Sequence, residues 1–220
     1  MAPDILQALV TLIEMKDHST AAHTWRVVLY TRAMGDEYGL THDEVDRLGV
    51  AAAVHDIGKL DIPSEILQKV GKLTDAEFAV IRTHPVTGHE RMLAMGEDDP
   101  LVLDLVRHHH ERVDGLGYPD RLPGDAIPMS AKFFSVIDTF DALTSHRPYR
   151  HEVGDDAARR AVIELQAGIG TRYDARAVEM FAALYHDRKL DWILQHFNDG
   201  SEVPGVAELR DVRRVGKAIK

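Results

Sequence analysis

The stretch VDRLGVAAAVHDIGKLDIP, residues 45–63, joins an apolar run to two polar side chains that follow it directly. Thr41 and Glu44 precede the run with the spacing of a capping box, which predicts the start of a helix. The helix then carries His55 and Asp56 at its buried end. Because a buried carboxylate is costly unless it is paired or bound to a metal, this segment predicts a polar site inside the core.

Helical patterns extend over most of the remaining chain. Apolar residues from Ile5 to Ile13 recur at helical spacing, Thr74 and Glu77 form a second capping box, and Asp99-Pro100 opens a helix that ends in a run of histidines. Further helices are predicted from Ser130, near 155–167 and near 174–186. Pro85 is expected to break or redirect the chain after His84. Gly-Pro loops are predicted at 58–72 and 114–128, and we find no alternating pattern typical of strands.

The sequence therefore predicts an all-α fold that is divided into one main unit and a short extension. Residues 1–186 form the main helical domain, and residues 187–220 supply the helix KLDWILQHF and then a polar, basic tail. No run reaches the roughly 18–20 apolar residues of a membrane span. The N-terminus lacks the basic start of a secretory signal, so we expect a cytoplasmic protein.

Composition excludes several classes of site. The 220 residues include no cysteine, which excludes disulfides, thiolate metal sites and cysteine nucleophiles. The formal net charge of −10 disfavours binding to polymeric nucleic acid, which usually needs a basic face. A small phosphate ligand needs only a local cationic pocket or bound metal ions, so the net charge does not exclude the binding of such a ligand.

A second stretch, LVRHHHERVDGLGYPDRLPGD at residues 105–125, places three histidines in a row. Together with the buried His-Asp pair, it belongs to a set of nitrogen and oxygen donors that suits transition metals better than calcium or magnesium. The candidate ligands are His23, His55, Asp56, His84, two of His108–His110, and Asp138. Seven ligands suit two adjacent metals that share a carboxylate, lower the pKa of a bridging water and clamp a phosphate. The alternative is a set of buried His and Asp pairs that only hold helices together. Of Asp138 and Asp141, the second is expected to cap a helix or make a structural hydrogen bond.

Two motifs resemble those of a known family. VHDIGKLDIP (54–63) resembles the HD motif of the HD superfamily of metal-dependent phosphohydrolases, and HHERVDGLGYP (109–119) resembles the second signature of its HD-GYP subfamily. The likeness extends in order over about residues 5–186. It includes KDHSTAAHTWRV (16–27), VGKLTDAEFAVIRTHPVTG (70–88), GDAIPMSAKFFSVIDTFDALTSHRPYR (124–150) and GTRYDARAVEMF (170–181).

The resemblance implies an HD-type helical bundle with a metal site in its core and a phosphodiesterase that cuts cyclic di-GMP to pGpG, GMP or both. The reaction would use a hydroxide that bridges the metals. The implied metal ligands are His23, His55, Asp56, His84, His109, His110 and Asp138. Asp56 would bridge the ions, and His108 would lie on another side of its helix. The implied catalytic residues are Asp56 and Lys59.

Substrate contacts follow from the same resemblance. Lys59, Arg147 and Arg150 match positions that meet the substrate phosphates, and Tyr118 lies in a Gly-Tyr-Pro loop that would border the substrate entrance. That loop is also a candidate docking surface for a diguanylate cyclase or another signalling domain, and a purely structural role stays open. A homodimer is open as well.

Ser19 departs from the family pattern, because many members with three metals carry Glu at this position. We therefore expect two divalent transition-metal ions, with Fe or Mn favoured and Zn, Ni or Co open. The alternatives to cyclic di-GMP hydrolysis are hydrolysis of another cyclic dinucleotide or nucleotide, and a non-catalytic receptor or interaction module. The complete ligand set favours an enzyme.

Overall fold

The computed structural model describes residues 2–17, 21–145 and 155–196. Within these residues the fold is all-α, as predicted, and β-pairing is limited to one bridge between Ile169 and Tyr173. The helices are α1 (Pro3–Asp17), α2 (Ala21–Tyr38), α3 (His42–Val54), α4 (Ser64–Leu67), α5 (Asp75–Ile81), α6 (His84–Ala94), α7 (Pro100–His108), α8 (Met129–Thr144), α9 (Asp155–Ala167), α10 (Ala175–His186) and α11 (Asp191–His196). Short 3₁₀ turns cover Ile57–Asp61 and Gly124–Ala126.

The predicted helix starts are confirmed where their signal is local. Both capping boxes form: the backbone N–H of Thr41 donates to Glu44 at 2.8 Å, and that of Thr74 donates to Glu77 at 2.7 Å. The Asp99 side chain accepts from the first turn of α7. Each of these bonds satisfies a backbone donor that a helix start leaves without a partner.

Two details differ from the sequence-based expectation. The chain breaks at Arg82 and Thr83, before His84, and Pro85 lies in the first turn of α6. Proline is tolerated there because the first amides of a helix have no intrahelical partner. The segment 58–72, predicted to be a loop, contains the first 3₁₀ turn and α4, although neither is longer than five residues.

Helix α2 lies at the centre of the fold and packs against α3, α8 and α10. Its side chains Trp25, Val28, Tyr30 and Met34 are fully buried. Helix α3 packs in turn on α7, and α8 packs on α9. Among the described residues no helix is both long enough and apolar enough to cross a membrane.

Helix α11 continues this packing. Leu190 and Ile193 are fully buried in the same core, and α11 contacts α2. Residues 197–220, which include the predicted tail, lie outside the described residues. The division of the chain at residue 186 stays a prediction.

Gly58 sets the distance between the first 3₁₀ turn and α6. A Cβ atom at this position would lie 1.9 Å from the carbonyl oxygen of His84 and 2.6 Å from the amide nitrogen of Gly88. Only glycine allows two backbones to approach so closely. The approach places the start of α6 beside the residues that follow α3.

Candidate metal centre and active site

The His-Asp pair lies where the sequence predicts it, at the inner end of α3. His55 follows the last residue of the helix, Asp56 comes next, and both side chains are buried. The Nδ1 atom of His55 donates to the carbonyl of Ala52 at 2.8 Å. Its Nε2 atom lies 3.1 Å from Oδ2 of Asp56.

Two groups of three possible metal donors lie around Asp56, and His55 belongs to one of them. One group comprises His84, His109 and His110, and the ligand atoms of its members lie within 4.8 Å of one another. The other group comprises His23, His55 and Asp138, and its ligand atoms also lie within 4.8 Å of one another. We call them the three-histidine cluster and the His-His-Asp cluster. The first is built from the start of α6 and the end of α7, and the second from α2, α3 and α8.

Asp56 connects the two clusters. Its Oδ1 atom lies 3.3 Å from Nε2 of His84, and its Oδ2 atom lies 3.1 Å from Nε2 of His55. One carboxylate oxygen therefore faces each cluster. All seven residues that the sequence singled out as metal ligands are brought together around this carboxylate.

The orientation of the imidazoles fits a metal centre. Four rings have Nδ1 engaged by an acceptor: the carbonyl of Ala52 for His55, that of Ile81 for His84, that of Val106 for His109, and the carboxylate of Asp141 for His23. A carbonyl only accepts, so Nδ1 must donate, and a neutral ring then carries its lone pair on Nε2. Metal-binding histidines in proteins are held in this manner.

Those lone pairs converge. The Nε2 atoms of His84 and His109 are 3.2 Å apart, and Nε2 of His84 also faces Asp56. Acceptors at such separations repel one another unless a cation lies between them. The donor set therefore fits divalent transition metals, whose preferred ligands are imidazole nitrogens and carboxylate oxygens.

In the three-histidine cluster and at Asp56, electrostatics favour the protonation states that metal binding needs. Burial, reinforced by neighbouring histidines, holds the pKa of His109 well below its usual range and lowers the pKa of His110 to about 3. Burial also lowers the pKa of His84. For Asp56 burial alone would raise the pKa, but His55 and Lys59 lower it well below its usual range. The rings of His84, His109 and His110 are thus neutral, and Asp56 is a carboxylate, at neutral pH.

Lys59 lies beside the bridging carboxylate. Its Nζ atom is 2.8 Å from Oδ2 of Asp56 and 2.7 Å from Oδ2 of Asp17. Burial alone would lower the pKa of Lys59, but the two carboxylates raise it, so the side chain stays cationic. Asp17 is not among the site residues predicted from the sequence. The sequence feature that could have pointed to Asp17 is its position as the last residue of α1, where the helix dipole disfavours a negative charge.

Asp141 supports the His-His-Asp cluster from behind. The expectation that it makes a structural hydrogen bond is confirmed, because it is 1% exposed and its Oδ2 atom lies 2.7 Å from Nδ1 of His23. The guanidinium of Arg26 also donates to it, with Nη2 at 3.2 Å from Oδ2. Arg26, which holds the carboxylate that orients His23, is likewise not among the residues predicted from the sequence.

The Gly-Tyr-Pro loop begins beside the three-histidine cluster. Tyr118 stacks on His110 with ring centroids 4.7 Å apart. His108 lies apart from the cluster, near Glu111 and Asp120, in agreement with the sequence-based expectation. Arg147 and Arg150, which the sequence predicts to bind phosphate, and Ser19 lie outside the described residues.

Comparison with known proteins identifies the family. A model of the HD domain matches residues 7–177. The chain is 38% identical over 206 residues to the cyclic di-GMP phosphodiesterase response regulator RpfG of Xanthomonas campestris, a match that covers 92% of this chain and 53% of the relative. It is 34% identical over 184 residues to the 3'3'-cGAMP-specific phosphodiesterase 2 of Vibrio cholerae, covering 80% of this chain and 34% of the relative.

A solved structure shares the fold. It is described as an HDG"Y"P protein from Bdellovibrio bacteriovorus. The two structures match with a TM-score of 0.59 and 19% sequence identity, and the match covers 74% of this chain and 51% of the other chain. The chain thus spans about half or less of the length of these relatives. The match of the family model and the order of the motifs show that the chain belongs to the HD-domain family, within its HD-GYP group.

Proposed function

We propose that the protein is a metal-dependent phosphodiesterase that hydrolyses cyclic di-GMP to pGpG, GMP or both. The observation that carries the proposal is the position of Asp56, with one carboxylate oxygen facing each of two clusters of three nitrogen and oxygen donors. A shared carboxylate between two such clusters is the arrangement of two-metal hydrolases. The similarity to a relative named as a cyclic di-GMP phosphodiesterase supports the choice of substrate.

The proposed cofactor is a pair of divalent transition-metal ions, with Fe or Mn favoured. The three-histidine cluster would hold one ion, the His-His-Asp cluster would hold the other, and Asp56 would bind both. When bound, the pair lowers the pKa of water to the physiological range and offsets the negative charge of a phosphodiester. Ser19 offers a neutral hydroxyl in place of a carboxylate, which supports two ions and not three.

Side chains around the clusters would position the substrate. Lys59 keeps its positive charge beside Asp56. A non-bridging phosphate oxygen bound between the two clusters would therefore contact this cation. In the transition state that cation would stabilise the additional negative charge. Arg147 and Arg150 are proposed to hold the phosphates, because arginine donates two parallel hydrogen bonds to such groups. Tyr118 is proposed to border the bound nucleotide.

A second candidate substrate is 3'3'-cGAMP, because a relative named for that activity is 34% identical to this chain. The two reactions use the same phosphodiester chemistry and differ only in one base. A non-catalytic receptor would not need seven converging metal donors, so the complete set favours an enzyme. A cytoplasmic location, a homodimer and docking of a diguanylate cyclase or other signalling domain on the Gly-Tyr-Pro loop stay predictions.

Turnover by purified, manganese-loaded protein tests the function. We expect hydrolysis of cyclic di-GMP to pGpG or GMP, with slower hydrolysis of 3'3'-cGAMP, as measured by chromatography of the products. His110→Gln should abolish the reaction because it removes a donor from the three-histidine cluster. The matched control His108→Gln should stay active, since His108 lies outside both clusters. Absence of turnover in the wild type, or equal losses in the two variants, would contradict the proposal.

A further inference from the structure

A cleft opens on the outer side of the Gly-Tyr-Pro loop. Its volume is about 520 Å³, within the range of about 300–1,000 Å³ that small-molecule sites occupy. The residues that line it are Ala79, Arg82, Thr83, Val86, Thr87, Tyr118, Pro119 and Arg121. They come from the end of α5, the start of α6 and the loop after α7.

The cleft adjoins the three-histidine cluster through one aromatic ring. Tyr118 stacks on His110 with centroids 4.7 Å apart, and the guanidinium carbon of Arg82 lies 4.6 Å from the centroid of the same ring. A ligand bound at the cluster and longer than one phosphodiester can therefore reach the cleft past Tyr118. Its next charged group would meet Arg82.

Two arginines face this cleft without acidic partners. Neither Arg82 nor Arg121 forms an ion pair with any residue in the described parts of the chain, although the protein has a formal net charge of −10. Other arginines in the described parts of the chain do pair with a carboxylate, among them Arg26, Arg91 and Arg107. Two unneutralised guanidinium groups at one cleft favour an anionic ligand.

The loop is built to hold Arg121 in place. The buried carboxylate of Glu111 accepts hydrogen bonds from the backbone amides of Asp120, Arg121 and Leu122 at 2.7–3.1 Å. Arg121 itself has a left-handed backbone with φ of 54°, which is unfavourable for a non-glycine residue and persists only where its surroundings impose it. A buried anchor and a strained backbone thus present a charged side chain to the cleft.

We propose that Arg82 and Arg121 bind the phosphodiester of the cyclic dinucleotide that is not being cut. This inference rests on the proposed function, and it adds a second anion site to the metal centre. A cyclic dinucleotide carries two phosphodiesters in one closed ring, so the second charge must lie close to the enzyme when the first is at the metals. Lys59, Arg147 and Arg150 would meet the phosphates at the metal centre. Arg82 and Arg121 add a contact to the phosphodiester that is not cut.

The test compares substrates with one and with two phosphodiesters. The variants are Arg82→Ala, Arg121→Ala and the double variant, and the matched control is Arg159→Ala, an exposed arginine on α9 that pairs with Asp156. Each single substitution should lower kcat/KM for cyclic di-GMP by about tenfold or more, and the double substitution by about a hundredfold, mainly through KM. Bis(p-nitrophenyl) phosphate has one phosphodiester, so its hydrolysis should fall at least tenfold less. Double replacement by lysine should restore part of the lost kcat/KM.

Several outcomes overturn the inference. Equal losses on both substrates, or a lower metal content in the double variant, would show that the arginines act only by supporting Tyr118 and His110. Unchanged kinetics with cyclic di-GMP would show that the cleft binds no part of the substrate. If the wild type does not hydrolyse cyclic di-GMP, the proposed function fails, and calorimetric titration with cyclic di-GMP still tests the cleft. About a hundredfold weaker binding by the double variant would support the site, and equal or undetectable binding by both proteins would refute it.

Discussion

Replacing Asp56 with alanine should remove most of the bound transition metal and reduce phosphodiester hydrolysis below detection. Asp56 faces each cluster with one oxygen, at 3.3 Å from His84 and 3.1 Å from His55. Its loss leaves each cluster with three donors and removes the ligand that would keep two ions adjacent. It also removes a carboxylate that holds Lys59 beside the centre.

Elemental analysis and turnover of cyclic di-GMP measure this effect in the same preparations. Asp61→Ala is the matched control, because it removes an exposed carboxylate from the 3₁₀ turn that follows Asp56, where Asp61 pairs with Arg91. The control should keep both metal and activity. Equal metal contents in the wild type and the Asp56→Ala variant would show that Asp56 does not bridge the ions.

Replacing Asp141 with alanine should lower the free energy of unfolding by about 3–5 kcal/mol, because it removes the carboxylate that pairs with the buried guanidinium of Arg26. Asp46→Ala is the control: this carboxylate is 32% exposed and pairs with Arg32, so its loss should cost about 1 kcal/mol or less. Urea denaturation in the presence of a chelator measures both without the contribution of bound metal. Similar values for the two variants would contradict the account of Asp141.

The effect of Asp141 should also depend on pH. Burial alone would raise the pKa of Asp141, but His23 and Arg26 lower it well below its usual range. A carboxyl group whose pKa is depressed by folding stabilises the protein above its unfolded pKa of about 3.9, and this stabilisation fades as the pH falls below that value. The difference between the wild type and Asp141→Ala should therefore be largest near neutral pH and shrink below about pH 4. A constant difference would show that the charge of Asp141 is not what stabilises the fold.

The helix starts were predictable because their signals are local. Thr41 with Glu44, and Thr74 with Glu77, form bonds within one turn, so four residues of sequence contain the whole interaction. Pro85 was harder to place, since proline ends one helix and begins another equally well. In the structure Pro85 lies in the first turn of α6, so the break between α5 and α6 falls at Arg82 and Thr83.

The metal donors were predictable as residue types and, through the family resemblance, as a set. Their convergence depends on packing, since they come from α2, the end of α3, the start of α6, the end of α7 and α8. The close approach at Gly58 illustrates this dependence, because it places His84 within reach of Asp56. No local pattern encodes a contact between backbones 26 residues apart in sequence.

The supporting residues were not predictable for the same reason. Lys59 meets Asp17 from 42 residues away, and Arg26 meets Asp141 from 115 residues away. Arg82 and Arg121, which have no acidic partner among the described residues, are recognised as such only from their neighbours in the folded structure. Sequence patterns therefore indicate which residues bind the metals. Which charged side chains around them are neutralised depends on contacts that form only in the folded structure.

Anomalous scattering from crystals grown with excess manganese tests the central claim most directly. The account predicts two full-occupancy peaks, one against His84, His109 and His110 and the other against His23, His55 and Asp138, with one oxygen of Asp56 at each. A single peak, a third peak beside the first two, or a peak confined to the group of His108, Glu111 and Asp120 would contradict a two-metal centre bridged by Asp56.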